Sequence, residues 1–220
     1  MLHKTKGIVF RYTPYGETSI IVNIFTESFG LQSYIVNSVR SKTGKSKIAI
    51  YQPLTLLDLV VYHKENAGIL RIKEVTCAHP YHTVQSDPMK SCIGMFINEV
   101  LNKTVKEQVH ADEMCNFIFD ALIRLDALAR PENFHLIFLI KLSKYLGFGP
   151  FAKVELGGLM LNEEEEEILD KLLQCEYEDP LKMSNDHRRI LLDALIRFYS
   201  SHIDAMGSIK SVQILREVLS

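Results

Sequence analysis

The residues best suited to chemistry in this 220-residue chain are cations, and they come in groups. Arg40, Lys42, Lys45 and Lys47 stand within residues 40–47, around Gly44 and between small polar side chains. Such a loop can follow a phosphate backbone and gain affinity from released counterions. Arg71 and Lys73 alternate with Leu70 and Ile72, so one face of that run is apolar and the other cationic. Arg11, Tyr12 and Tyr15 add a guanidinium and two phenol rings, a surface on which bases can stack. Each feature also has an ordinary reading. A lone lysine loop is usually a solvated turn, and a corner aromatic is usually packing. Here the loop and the cationic run share one short segment, and together they point to a polyanion.

Other chemistries are poorly supported. No nucleophile, base and acid are spaced to act together. Thr43, Gly44, Lys45 and Ser46 resemble the end of a phosphate-binding loop but lack its first glycine and its strand-to-helix setting. Cys77, His79 and His82 are soft ligands without a fourth partner nearby, and read as a domain junction with partly buried histidines. The acidic run 163–167 follows Asn162, where carboxylates offset the unpaired N–H groups of a helix start. Neither a metal nor a cofactor is expected.

Composition sets the frame for these groups. With 47% apolar and 24% charged residues the chain suits a globular protein with a sizeable core. No apolar run is long enough to span a membrane, and MLHKTKGIVF lacks the apolar segment of a signal peptide. Four cysteines without CxxC spacing suit a reduced, cytoplasmic setting. The net charge of −2 is unevenly spread: residues 1–80 carry ten Lys/Arg against five Asp/Glu, and residues 81–220 fifteen against twenty-two. A basic front on an acidic back suggests two domains, the front one meeting the polyanion.

The elements that must position these groups change period once. Up to residue 77 the chain reads as five strands: 8–12, 19–25, 31–39, 54–63 and 69–77. Thr13, Pro14, Tyr15 and Gly16 supply the first turn, and the second strand is apolar enough to be buried on both faces. Five short strands without a helical period argue for a small closed barrel of the oligonucleotide/oligosaccharide-binding (OB) type. From about residue 84 an all-α pattern follows. Asp87 and Pro88 open a first helix, and Met114, Cys115, Ile118, Leu122 and Leu125 form the inward stripe of a second over 111–129. A third runs from Pro131 to Leu146, stopped by Gly147. Residues 147–161 read as an irregular connector. Asn162 caps a fourth helix, Asp186 or a neighbour starts a fifth, and Ser208 caps a short terminal one. The expected architecture is multi-domain, with an OB-fold barrel over 1–80 and a helical domain over 81–220.

Four stretches carry a resemblance. GIVFRYTPYGETSIIVNIFTESFG (7–30), YQPLTLLDLVVYH (51–63), KYLGFGP (144–150) and SIKSVQILREVL (208–219) resemble, in the same order, segments of the RecO family of recombination mediators. The resemblance covers nearly the full chain and implies the same barrel and helical domain. It also implies a non-enzymatic protein that binds and anneals single-stranded DNA, contacts double-stranded DNA, and works with RecR to load a recombinase. Its helical domain would bind the acidic tail of single-stranded-DNA-binding protein. Lys141 and Lys144, beside apolar Leu139, Ile140 and Leu142, would form the basic rim for that tail. The chain departs from many relatives in one respect. The four-cysteine zinc site that follows their LGxGP segment is reduced here to Cys175. The DNA-binding candidates are Arg40, Lys42, Lys45, Lys47, Arg71, Lys73, Arg11 and Tyr12. An OB protein that binds RNA, or an adaptor without nucleic-acid contact, are the alternatives.

Overall fold

The computed structural model describes residues 1–40, 48–64, 67–106, 111–149 and 161–219. Five strands, β1 (Leu2–Tyr15), β2 (Ser19–Thr26), β3 (Gly30–Val36), β4 (Leu56–Tyr62) and β5 (Leu70–Cys77), close into a barrel in the order β1-β2-β3-β5-β4. Six helices follow among the described residues: α1 (Pro88–Thr104), α2 (Ala111–Ala127), α3 (Phe134–Tyr145), α4 (Glu163–Gln174), α5 (Asn185–His202) and α6 (Ser211–Val218). The expected OB-type barrel and helical region are both present. They divide into two compact units, residues 1–81 with 105–123, and residues 82–104 with 124–220.

In the barrel unit β1 serves two neighbours. Leu2 to Ile8 pair antiparallel with β4, and Gly7 to Tyr15 pair antiparallel with β2. A bulge between Val9 and Arg11 bends the strand between these duties. Gly7 sits where both ladders meet. A Cβ there would lie 2.6 Å from Ile24 Cγ2 and 2.8 Å from Leu59 Cδ1.

The strand therefore starts earlier and ends later than the sequence pattern suggests. Pro14 is in β1, opposite Ile20, and the turn falls at residues 16–18 with Gly16 at φ +57°. The ladder to β4 ends at Ile8, so the N–H that Pro14 lacks would have had no strand partner on that side. β2 also differs from expectation. Ile20, Val22 and Ile24 are buried while Ser19, Ile21 and Asn23 are half-buried, so the first part of the strand buries one face, and only at Phe25, stacked on Phe10, is the other face buried as well. Val9, Tyr34, Leu57, Val61 and Leu70 complete that core.

Residues 111–123 of α2 belong to the barrel unit. Within that unit the Cys115 thiol donates to Phe25 O (3.9 Å), Asn116 Nδ2 donates to Glu27 Oε1 (3.1 Å), and Lys6 Nζ lies 5.4 Å from the Phe119 ring centroid. The inward stripe read from sequence, from Met114 to Leu125, is buried as expected.

The helical unit is built on satisfied helix ends. Asp87 Oδ1 accepts from Met89 N (2.8 Å) and Lys90 N (3.2 Å) at the start of α1. Gly147, at φ +84°, ends α3. The connector that follows lies, over 150–160, outside the described residues. Asn162 and Glu165 form a reciprocal capping box on α4, and Ser184 caps α5. The terminal helix is a correction: Ser208 does not cap α6, and Lys210 at its N-cap position makes no side-chain cap. Glu99 of α1 does the work instead. Its carboxylate accepts from Lys210 N (2.9 Å), Ser211 N (2.9 Å) and Ser211 Oγ (2.7 Å). Burial pushes this carboxyl up, but the bonds from Ser211 and Lys210, with nearby Lys103, outweigh it and hold it below the usual range.

A second carboxylate organises the turn that enters α1. Asp126 accepts from the backbone N–H groups of His82, Thr83 and Val84 at 2.8–3.1 Å and from Thr83 Oγ1. Burial raises this carboxyl, yet the four donors together hold it far below the ordinary range. Buried Lys90 donates to Thr83 Oγ1 (2.6 Å) and to the Asp126 carbonyl (2.7 Å). No described helix is long and apolar enough to cross a membrane.

Two predictions come from these groups. His135 on α3 is fully buried, and neither ring nitrogen has a partner among the described residues. Burial, with Arg188 nearby, depresses it to about 3. Its folded pKa lies below the unfolded value, so the native state loses stability as pH falls from about 6.5 toward 3. Urea unfolding of His135→Leu at pH 7 and pH 5 should show the variant gaining on wild type by about 2 kcal/mol across that interval. Glu99→Gln should cost about 1–3 kcal/mol at pH 7 in the same assay, by weakening the charged cap of α6.

Candidate nucleic-acid interface

The barrel closes through a thin seam. β3 and β5 run parallel and share two register pairs, Tyr34 with Leu70 and Ile35 with Arg71. Beside this seam the wall opens into a concave groove of about 750 Å³. Ile35 and Val36 of β3, Tyr62 of β4 and Arg71, Ile72 and Lys73 of β5 line it, with Tyr51 from a short 3-10 turn. Arg71 stands in register between Ile35 on one neighbour and Tyr62 on the other. Tyr62 is 48% exposed, so a phenol ring and a guanidinium are offered side by side. No acidic side chain is among the lining residues described.

A second concavity on the barrel provides the contrast. In it Lys4 and Lys6 share the wall with Glu27, Asp58 and Glu74, so its positive charge is offset. Lys73 of the first groove does contact Glu74, at 3.4 Å, but both side chains are half-exposed. An exposed pair of that kind is worth little, and it leaves Lys73 available to a phosphate.

The structure distributes the candidate residues unevenly. Arg71 and Lys73 come together in the groove. Arg40 is exposed but tied to the β1–β2 turn, its backbone N donating to Thr18 O (2.9 Å) and its Nη1 to Gly16 O (3.2 Å). Arg11 is exposed on β1 opposite Asn23. Tyr12 is partly buried against the barrel core, whereas Tyr15 is exposed. Lys42, Lys45 and Lys47 lie outside the described residues. Tyr62 was not singled out by the sequence pattern. The signal was there, because Asp58, Val60 and Tyr62 share the less buried parity of β4.

In the helical unit Lys144 is exposed, while Lys141 Nζ lies 2.6 Å from Glu176 Oε1 and 5.5 Å from the Tyr177 ring centroid. Cys77 is exposed, and His79 is half-buried as expected and meets Tyr81 edge-on at 5.7 Å. His82, expected to be partly buried, is exposed because it is its backbone N that is drawn in, donating to Asp126. Among the described residues no three His, Cys, Asp or Glu side chains gather to hold a metal. Beyond Gly149 the chain has the single thiol of Cys175, so a four-thiolate zinc site does not fit it.

A closed five-stranded barrel of OB type, a cationic groove with an exposed aromatic at its seam and an all-α second unit define an OB-barrel protein with a helical extension. Comparison with known proteins sharpens that class. A family model described as "Recombination protein O N terminal" matches residues 1–81, and one described as "Recombination protein O C terminal" matches residues 85–156. The chain is 37% identical over 237 residues to the DNA repair protein RecO of Flavobacterium psychrophilum, covering 99% of each. It is 36% identical to that of Flavobacterium johnsoniae, covering 99% of each, and 30% identical to that of Phocaeicola vulgatus, covering 100% of each. The chain belongs to the RecO family, and membership supports a role in DNA repair and recombination.

Because Arg71 and Lys73 are exposed, replacing both with Ala should shift stability by no more than about 0.5 kcal/mol per site, measured by chemical unfolding.

Proposed function

We propose that this protein is a non-enzymatic recombination mediator whose barrel holds the DNA backbone while leaving bases free. The observation that carries this reading is the groove at the β3–β5 seam. Arg71 and Lys73 line it without an acidic neighbour in the lining, and Tyr62 offers a ring face beside them. Cations there neutralise phosphates without reading sequence, and a tyrosine takes any base because every base has a π-face. The loop over 40–47 adds four further cations to the same unit. Neutralising two strands at once removes the repulsion that opposes annealing, and bases that stay exposed can then pair. By likeness to its family the protein would bind single- and double-stranded DNA in the cytoplasm and act with RecR in loading a recombinase. Its helical unit would receive the acidic tail of single-stranded-DNA-binding protein, with exposed Lys144 and neighbouring Lys141 as the cationic partners.

Fluorescence anisotropy of a labelled single strand against salt tests the grip. Wild type should weaken steeply as salt rises. Arg71→Ala/Lys73→Ala should lower the slope of log K against log salt by up to about 0.7 per lost contact. Tyr62→Ala should instead cost about 1–3 kcal/mol with the slope kept. Lys42→Ala/Lys45→Ala/Lys47→Ala reports on the loop in the same way. Unchanged binding in all three variants overturns the barrel as the DNA grip, and a preference for RNA of the same sequence would favour an RNA-binding role.

A further inference from the structure

Between α4 and α5 the chain runs without regular structure over 175–184, and it carries an acid–aromatic–acid sequence, Glu176, Tyr177 and Glu178, followed by Asp179 and Pro180. Each of the three side chains is seated on a complementary group of the helical unit. Glu176 Oε1 meets Lys141 Nζ at 2.6 Å, and Glu178 Oε1 accepts from Arg124 Nη1 at 2.6 Å. The Tyr177 ring stacks on Phe134, centroids 4.3 Å apart and planes 18° apart, and is 7% exposed. Asn133 Nδ2 holds the far end by donating to Leu181 O at 2.7 Å. Two cations and an aromatic shelf thus form a receptor for an acidic peptide bearing one aromatic, and the occupant is the chain's own segment.

We infer that residues 175–181 are an internal occupant of this receptor and must lift away before an acidic, aromatic peptide of a partner can use it. The inference rests on the reading that the helical unit receives an acidic tail. The fastening suits release. Glu176 and Glu178 remain more than half exposed at their side chains, where each ion pair is modest and screened by salt, so that losing both together is enough to free the segment. The Tyr177 hydroxyl is buried without a hydrogen-bond partner among the described residues, which weakens the closed arrangement. Tyr177 also covers the Phe134 ring and lies under Lys141, so lifting it frees apolar surface and charge together.

The test uses the full chain and a fluorescein-labelled peptide copying residues 174–181, with Cys175→Ser. Two release variants are compared with wild type by anisotropy: Tyr177→Ala, and Glu176→Gln/Glu178→Gln in case the first fails to fold by circular dichroism. If the closed form is populated about nine-tenths of the time, release should tighten binding of the peptide about tenfold. Adding Lys141→Ala and Arg124→Ala to a release variant should abolish the gain. A folded release variant that binds the peptide no better than wild type overturns the inference. The tail peptide of single-stranded-DNA-binding protein separates the two ideas. If it binds wild type and release variants equally, the tail reading stands and the internal occupant falls. If only the chain's own segment binds the release variant, the receptor stands and the tail reading falls.

Discussion

Closure of the barrel depends on one strand pairing on both edges at once. β1 spends its first half on β4 and its second on β2, and the two ladders overlap at Gly7 and Ile8. At Gly7 a Cβ would press on the side chains of Ile24 and Leu59, which would have to shift to admit it. The bulge after Val9 then turns the strand so that the sheet can curl. With four ladders long and antiparallel, the last edge is left to a brief parallel contact between β3 and β5. The seam closes the barrel but does not fill its wall, and the groove lies there.

The helical unit relies on a different economy, in which carboxylates on one element satisfy backbone groups on another. Glu99 takes the orphan N–H groups at the start of α6, more than a hundred residues away in sequence. Asp126 gathers three successive N–H groups and a hydroxyl at the turn before α1. N–H groups at a helix start or in a half-buried turn have no partner of their own and need acceptors. Here they find charged ones, which is why both carboxyls sit below their ordinary range. His135 is the opposite case, a ring buried among apolar neighbours and kept neutral by them.

Charge is arranged by the same separation. On the barrel, one concavity mixes lysines with carboxylates while the groove at the seam has no carboxylate in its described lining. In the helical unit, acidic residues 176 and 178 lie on Lys141 and Arg124. The cations at the seam are therefore accessible, whereas Lys141 and Arg124 are engaged by carboxylates of the chain itself.

Much of this was legible in the residues alone. Alternation and short apolar runs between turns marked the five strands, the 3–4 spacing marked the helices, and Asp87, Gly147 and Asn162 marked their ends, because each depends on neighbours within a turn or two of chain. The four family-like stretches placed the chain in its family for the same local reason. The tertiary structure decided what local spacing cannot express. It carried β1 past Pro14, since tolerance for proline depends on whether a strand lies on that edge. It set 111–123 in the barrel unit, because an apolar stripe states that a face is buried but not against what. It brought Tyr62 beside Arg71 through ladder register, and Lys141 to Glu176 across 35 positions of sequence. Periodicity describes one element's faces, whereas a site belongs to the faces that closure and packing bring together.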